Sequence, residues 1–251
     1  MKWNFICNTH SFRDIKKIVL IIGMIYHKEH KHMDHDTLAK LVNKLPECPG
    51  ILARERFFNS SVLVPLVYLN NEYHLLFEKR SAAIRQGSEI CFPGGKHDPG
   101  TDKNCLATAM RETMEELGIT KDKIKIKGRF DTLVASMGVT VESFLAVLSI
   151  SDTGELHLNA SEVEDVFLLP VSFFKKSKAE TYKVRLLVEP SYIDEGGQEV
   201  TLLPARDLGL PELYHKPWGK AIHRVLVYKT PKGTIWGLTA EIIHDMIKKI
   251  L

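Results

Sequence analysis

Apolar residues recur with two different periods along this chain. Leu38, Leu41, Val42 and Leu45 fall at helical spacing behind Asp34 or Asp36, either of which can cap a helix, and PECPG at 46–50 ends the run. SVLVPLVYL (61–69) and YHLLFEKRS (73–81) instead read as consecutive strands joined around Asn70-Asn71, a tight turn. KIKIKGRF (123–130) and VESFLAVLSI (141–150) read as further strands, and EVEDVFLLPVSFF (162–174) as a turn with a short apolar stretch. VRLLVEPSY and RVLVYKT add two strands, and IWGLTAEIIHDMIKKIL closes the chain as an amphipathic helix. There is no internal repeat and no low-complexity linker. Strands dominate, with helices between and after them, which predicts one α/β domain built on a mixed sheet.

Composition narrows the class only loosely. The 251 residues suffice for one sizeable core, and 44% hydrophobic with 26% charged is ordinary for a globular chain. A formal charge of +3 without a concentrated basic stripe argues against nucleic-acid binding. Cys7, Cys48, Cys91 and Cys105 form no CxxC pair, so reduced thiols are expected rather than structural zinc or a disulfide framework. IVLIIGMIY (18–26) is too short to span a bilayer, and no small-residue cleavage site follows it; HKEHKHMDH comes instead. A peripheral anchor, or adventitious metal binding by that His cluster, stays open. The reading preferred here is an extension over residues 1–32 and a single working domain over 33–251.

Candidate chemistry is concentrated between residues 91 and 119. Pro93, Gly94 and Gly95 end the short strand EICF and let the backbone turn close to a ligand. Asp98-Pro99-Gly100 is a second turn signal. A helix is expected from about Asn104 to Leu117, with Gly118 as its left-handed cap and Leu106, Ala109, Met110, Thr113 and Leu117 as its buried stripe. Glu112, Glu115 and Glu116 then lie at i, i+3 and i+4 on one face, and Arg111 can pair with Glu115. Such a pattern alone is usually a solvated helix face. Coupled to a Gly-Gly turn, carbonyl and carboxylate oxygens together suit a hard cation, Mg²⁺ or Mn²⁺, which typically keeps waters and binds substrate phosphates.

At these residues the chain resembles a known family. GG…RETMEELGI is similar to the Nudix box, Gx5Ex7REUxEExGU with U aliphatic, although Thr113 replaces one aliphatic position. The resemblance implies the Nudix fold, a mixed β-sheet sandwiched between helices. It implies Glu112, Glu115 and Glu116 as metal ligands, Arg111 holding them in place, and Gly95 lending backbone near the metal. Fifteen residues separate Gly95 from Arg111 where the pattern has thirteen, and the isolated Glu is missing; Thr101, Asp102 or Lys103 stands there.

KRSAAIRQGSEICFPGGKHDPG (79–100), LATAMRETMEELGI and Thr234–Ala240 further resemble the branch that cleaves coenzyme A and its derivatives. RQGSEICF runs one residue short of that branch's usual spacing, and Glu89 falls near its glycine. This likeness implies Arg80, Arg85 and Lys96 as contacts to substrate phosphates, with Glu115 or the downstream Glu162 as the water-activating group; Glu164 and Asp165 are neighbouring options. The implied reaction is metal-assisted pyrophosphate hydrolysis, giving 3′,5′-ADP and 4′-phosphopantetheine. Trp236 is expected in the core, His97 solvated, and Cys91 and Cys105 as small buried residues rather than nucleophiles.

The alternatives are another Nudix specificity such as ADP-ribose or NADH, a non-catalytic ligand-sensing Nudix module, or a structural protein with an inert acidic helix. The closing KIL differs from an SKL-type peroxisomal address, which leaves the cytoplasm as the default location. A small-molecule substrate is the expected partner, with no stable membrane span, and a homodimer stays open.

Overall fold

The structure is a computed structural model that describes residues 33–251, so the reading of residues 1–32 as an extension lies outside the described residues. The chain divides into two units at Leu52/Ala53. In the first, α1 (His35–Val42) begins where expected, with the Asp34 carboxylate accepting the Thr37 N–H at 2.7 Å. None of its residues is buried, so the apolar spacing forms a helix without forming a core there.

The second unit, Ala53–Leu251, carries the sheet. β1 (Phe58–Leu69) and β2 (Glu72–Arg80) form an antiparallel hairpin. Asn70 and Asn71 both take positive φ, 50° and 63°, as a two-residue turn between right-twisted strands requires. β3 (Ile90–Cys91) and β4 (Gly94–Lys96) follow, then α2 (Cys105–Leu117). β5 (Ile124–Arg129), β6 (Leu133–Ala135) and β7 (Val139–Leu148) come next. The stretch expected as a turn and a short apolar run is a full strand, β8 (Val163–Pro170), followed by the short helix α3 (Val171–Lys176). β9 (Glu180–Val188) leads into the small hairpin of β10 (Ser191–Ile193) and β11 (Glu199–Thr201). β12 (Trp218–Thr230), β13 (Gly233–Trp236) and α4 (Gly237–Ile250) close the chain.

The main sheet runs β3-β2-β1-β7-β5, with β4 beside β1, β6 beside β7 and β8 beside β2. Among the described residues only β1 and β7 pair in parallel, so the sheet is mixed, as expected. A second, antiparallel sheet has the order β13-β12-β9.

Strand alternation explains the layers. In β1, Leu63 and Val67 face α2, whereas Val64 and Leu66 face α4. In β2, Leu76 faces α2 while Leu75 and Phe77 face the opposite layer, where Phe77 stacks on Phe92 and Phe167 at 5.0 and 5.7 Å between centroids. Ile243 and Ile247 of α4 complete that layer with Leu226 and Ile235. Each fully buried large side chain contributes about 1.5–3 kcal/mol of transfer free energy. The helix expected from Ile235 begins two residues later, because Ile235 and Trp236 belong to β13. That placement corrects the expectation for Trp236. Ile235 turns into the core at 0% exposure, and the next residue along the strand must turn out, leaving Trp236 47% exposed.

Candidate active site

The site forms where the β1–β2 hairpin splays open. Residues 90–96 cross the gap: Cys91 pairs with Glu78 of β2, Pro93 O accepts the Leu63 N–H, and Gly94–Lys96 pair with Ser60–Val62 of β1. Gly94 has φ 152°, and a side chain there would run into the Ser61 carbonyl and Val62. At Gly95 a Cβ would occupy the Glu112 carboxyl, so glycine is what lets this backbone lie against the helix. Its carbonyl accepts the Ser60 hydroxyl at 3.1 Å.

α2 starts and stops as its sequence predicts. Asn104 Oδ1 accepts the Ala107 N–H at 2.9 Å, and Gly118 takes the left-handed conformation at φ 60°. The buried face departs from expectation. Ala109, Thr113 and Leu117 are buried, but they are joined by Thr108 and by Glu116, which is only 3% exposed. Glu116 Oε2 accepts the Gly94 N–H at 2.9 Å. Glu112 is half-buried, and Glu115 is 55% exposed. The three glutamates therefore share a helix face but not an environment.

Arg111 organises them. Its guanidinium takes Asp102 as a two-pronged partner, Nε to Oδ1 and Nη2 to Oδ2, both at 3.0 Å. It also contacts Glu112 at 2.8 Å and Glu115 at 3.0 Å. The fork is a strong charge-assisted arrangement. Hydrogen bonds from Arg111, opposed by burial, hold the Asp102 carboxyl well below the usual carboxylate range. Of Thr101, Asp102 and Lys103, Asp102 is the one that pairs with Arg111. The turn around it is tied by Asp98, which accepts the Gly100 N–H and the Thr101 hydroxyl, each at 2.9 Å. His97, expected to be solvated, bonds Thr108 Oγ1 at 2.7 Å and braces the loop against α2.

One residue at the centre has no counterpart in the sequence reading. Glu78, on the α2 side of β2, is fully buried. Its Oε1 accepts the Cys91 thiol at 3.2 Å and lies 3.9 Å from Arg80, while Oε2 has no hydrogen-bond partner in the chain. Arg80 Nε and Ser61 Oγ are also unpartnered. Burial pushes the Glu116 carboxyl well up, and the charge of Glu78 adds to it. Glu78 is raised by burial too, against lowering by Cys91 and Arg80, with Glu162 and Glu112 pushing it further up. Glu112 is raised chiefly by burial, with Arg111 opposing. Burial and the adjacent carboxylate also raise the Cys91 thiol, which removes it as a nucleophile.

Of the loop residues, Glu162 lies near enough for its charge to push up the Glu78 and Glu112 carboxyls. Glu164 instead pairs with Lys79 at 2.5 Å, and Asp165 is exposed. Arg80 sits beside Glu78, Arg85 is exposed in the turn after β2, and Lys96 lies over the Phe58 ring at 5.9 Å.

Among the described residues no three of His, Cys, Asp and Glu already stand at ligating distance from a common point. The donor set nevertheless fits a hard cation. It consists of oxygens, two of its carboxylates, Glu78 and Glu116, are buried next to each other's charge, and one oxygen, Glu78 Oε2, is left without a partner.

Residues 59–187 match the NUDIX domain. The chain is 30% identical to the uncharacterized Nudix hydrolase NudL of Photorhabdus laumondii, over 85% of this chain and 98% of that protein. It is 31% identical to the human mitochondrial coenzyme A diphosphatase NUDT8, over 75% of this chain and 68% of that one. To the mouse peroxisomal coenzyme A diphosphatase NUDT7 it is 35% identical, over 45% of this chain and 48% of that one.

Proposed function

The chain belongs to the Nudix hydrolase family, and on that premise we propose that it hydrolyses the pyrophosphate bond of coenzyme A or its acyl derivatives with Mg²⁺ or Mn²⁺. Water adds to one phosphorus and the bridging P–O bond breaks, releasing 3′,5′-ADP and (acyl-)4′-phosphopantetheine. The observation that carries the reading is the pair of buried carboxylates, Glu78 and Glu116, set with the half-buried Glu112 beside the Gly94–Gly95 turn, with Glu78 Oε2 left unpartnered. A bound divalent cation would neutralise the pyrophosphate and acidify a water there. The choice of coenzyme A rests on KRSAAIRQGSEICFPGGKHDPG and on likeness to two proteins named as coenzyme A diphosphatases.

The chain's own residues have distinct tasks in this reading. Glu112, Glu115 and Glu116 would hold the cation, with the Gly95 backbone next to them. Glu115 lies at the rim of the same set, held by Arg111. Glu162 takes the proton of the attacking water, a role its place near Glu78 and Glu112 supports better than the position of the exposed Glu115 does. Arg80 and Arg85 receive phosphates, and Lys96 supplies a further positive charge. Arg111, fixed by Asp102, positions the carboxylates without touching substrate.

We assign the activity to the cytoplasm, supported by free thiols at Cys48, Cys91 and Cys105; no described helix is long and apolar enough to cross a membrane. The decisive experiment compares Mg²⁺-dependent hydrolysis of coenzyme A, ADP-ribose, NADH and a nucleoside triphosphate. Coenzyme A should give the highest kcat/KM. Faster hydrolysis of ADP-ribose would overturn the substrate assignment, and no metal-dependent hydrolysis of any of the four would overturn the enzyme reading for this site.

A further inference from the structure

Glu78 lies outside the signature motif, yet it is buried close enough to Glu112, Glu116 and Glu162 for their charges to bear on one another. β2 alternates, so Leu76, Glu78 and Arg80 share the face turned to α2. The partner of Glu78 on β8 is Val166, which belongs to the same layer as Leu76. The charges that bear on Glu78 are those of Glu162 and Glu112 and, opposing them, Arg80. Among the charges bearing on Glu116, that of Glu78 ranks first.

A merely structural carboxylate in this position would be expected to close on its neighbours. Glu78 does not. A thiol is a weak donor, and it occupies Oε1 alone. Arg80 stands 3.9 Å away, beyond hydrogen-bond reach. On each side one atom stays unmet, Glu78 Oε2 as an acceptor and Arg80 Nε as a donor, although both are buried. Two unmet groups of opposite character on the same strand face need an object that is positive toward one and negative toward the other. A divalent cation carrying a phosphate is such an object.

We propose that Glu78 is a further carboxylate of the cation site, supplied by strand β2 beside Glu112 and Glu116, and that Arg80 takes the phosphate which that cation carries. This rests on the cation reading of the Nudix motif given above. Sheet and helix then grip the metal from two sides, and the spacing of Glu78 and Arg80 along β2 sets where the pyrophosphate lies. Glu78 acts in metal affinity and Arg80 in substrate affinity.

The test is a Mn²⁺ titration of the full chain without substrate, following the free-ion signal by electron paramagnetic resonance. Wild type, Glu78→Gln, Glu116→Gln and Arg80→Ala are compared. Glu78→Gln keeps the side-chain shape and removes the charge, and it should weaken Mn²⁺ binding about tenfold or more. Its metal-free melting temperature should be no lower than wild type, because an uncompensated buried charge has gone. Arg80→Ala should leave Mn²⁺ affinity within about twofold of wild type while raising the KM for coenzyme A. If Glu78→Gln does not fold, Glu78→Met, which is of similar length and uncharged, is read against the same two outcomes. Unchanged Mn²⁺ affinity in the folded Glu78 variant, with weakened affinity in Glu116→Gln, overturns the role of Glu78 alone. Mn²⁺ affinity unchanged in both, or absent from wild type, overturns the cation site itself.

Discussion

Asp102→Asn tests how the acidic helix is held in place. Asp102 is 2% exposed at its side chain and makes two 3.0 Å bonds to Arg111. Asparagine keeps one acceptor oxygen and turns an N–H₂ group toward the guanidinium, so one charge-assisted bond is lost and the other weakened. A hydrogen bond to a charged group contributes roughly 1.5–3 kcal/mol. Full loss of a buried partner costs about 3–5 kcal/mol, but Arg111 retains Glu112 and Glu115. The expected destabilisation is therefore about 1.5–3 kcal/mol. For a body of this size that lowers Tm by about 3–12 °C, at roughly 2–4 °C per kcal/mol.

The assay is thermal unfolding followed by circular dichroism, with Glu115→Gln as the comparison. Glu115 is 55% exposed, and its pair with Arg111 is worth only about 0.3–0.5 kcal/mol, so its Tm should fall by no more than about 2 °C. The pH dependence supplies a second arm. The folded state lowers the carboxyl pKa of Asp102 from its ordinary 3.8, so its stabilisation is present above that value and is lost as pH falls below it. The gap between wild type and Asp102→Asn should accordingly narrow toward about pH 3. A Tm change under about 1 °C at neutral pH, or a gap that persists undiminished in acid, would refute the reasoning.

Other outcomes follow from the same geometry. Glu115→Gln and Glu116→Gln should each cut turnover by orders of magnitude with the fold retained, and near-normal rates in both would sink the metal-ligand assignment. Glu78 and Glu116 are protonated more readily in the folded state than at the ordinary 4.5, so their contribution is complete below that value and fades as pH rises above it. Metal-free protein should thus melt lower at about pH 8 than at about pH 5, with Mg²⁺ closing the difference; a higher melting point at the alkaline end would contradict the buried-charge account. If Arg80 or Arg85 meets the 3′-phosphate, coenzyme A should be preferred over dephospho-coenzyme A by about tenfold or more in kcat/KM, shrinking in the responsible Arg→Ala variant. Equal rates on the two compounds would remove that contact. A chain beginning at Met33 should fold and keep full activity, and insoluble or inactive protein would assign residues 1–32 to the working domain.

Local features were legible where the cause is local. Asn70-Asn71 reads as a turn because only a few residue types accept two successive positive φ angles. Asn104 and Gly118 bracket α2 because the cap bonds involve neighbours within a turn or two. The spacing of Arg111, Glu112, Glu115 and Glu116 places four charges on one side of a helix wherever that helix packs. Alternation in residues 61–69 and 73–81 likewise marks two strands with an inside and an outside.

What alternation cannot supply is the identity of whatever covers each face, and there the tertiary structure decided. Glu78 reads along the chain as the first polar residue of EKRS, a strand end nearing solvent. It is nevertheless fully buried, with Cys91 of the 90–96 segment paired beside it in the sheet. Glu116 reads as solvent-facing from its helical position and becomes buried by docking on Gly94. Trp236 reads as core by size, yet it is turned outward by the registry of β13 on β12. Asp102 was one of three neighbouring options until the loop's path brought it against Arg111. Each of these outcomes depends on desolvation, and desolvation is set by contacts between segments that one-dimensional spacing does not record.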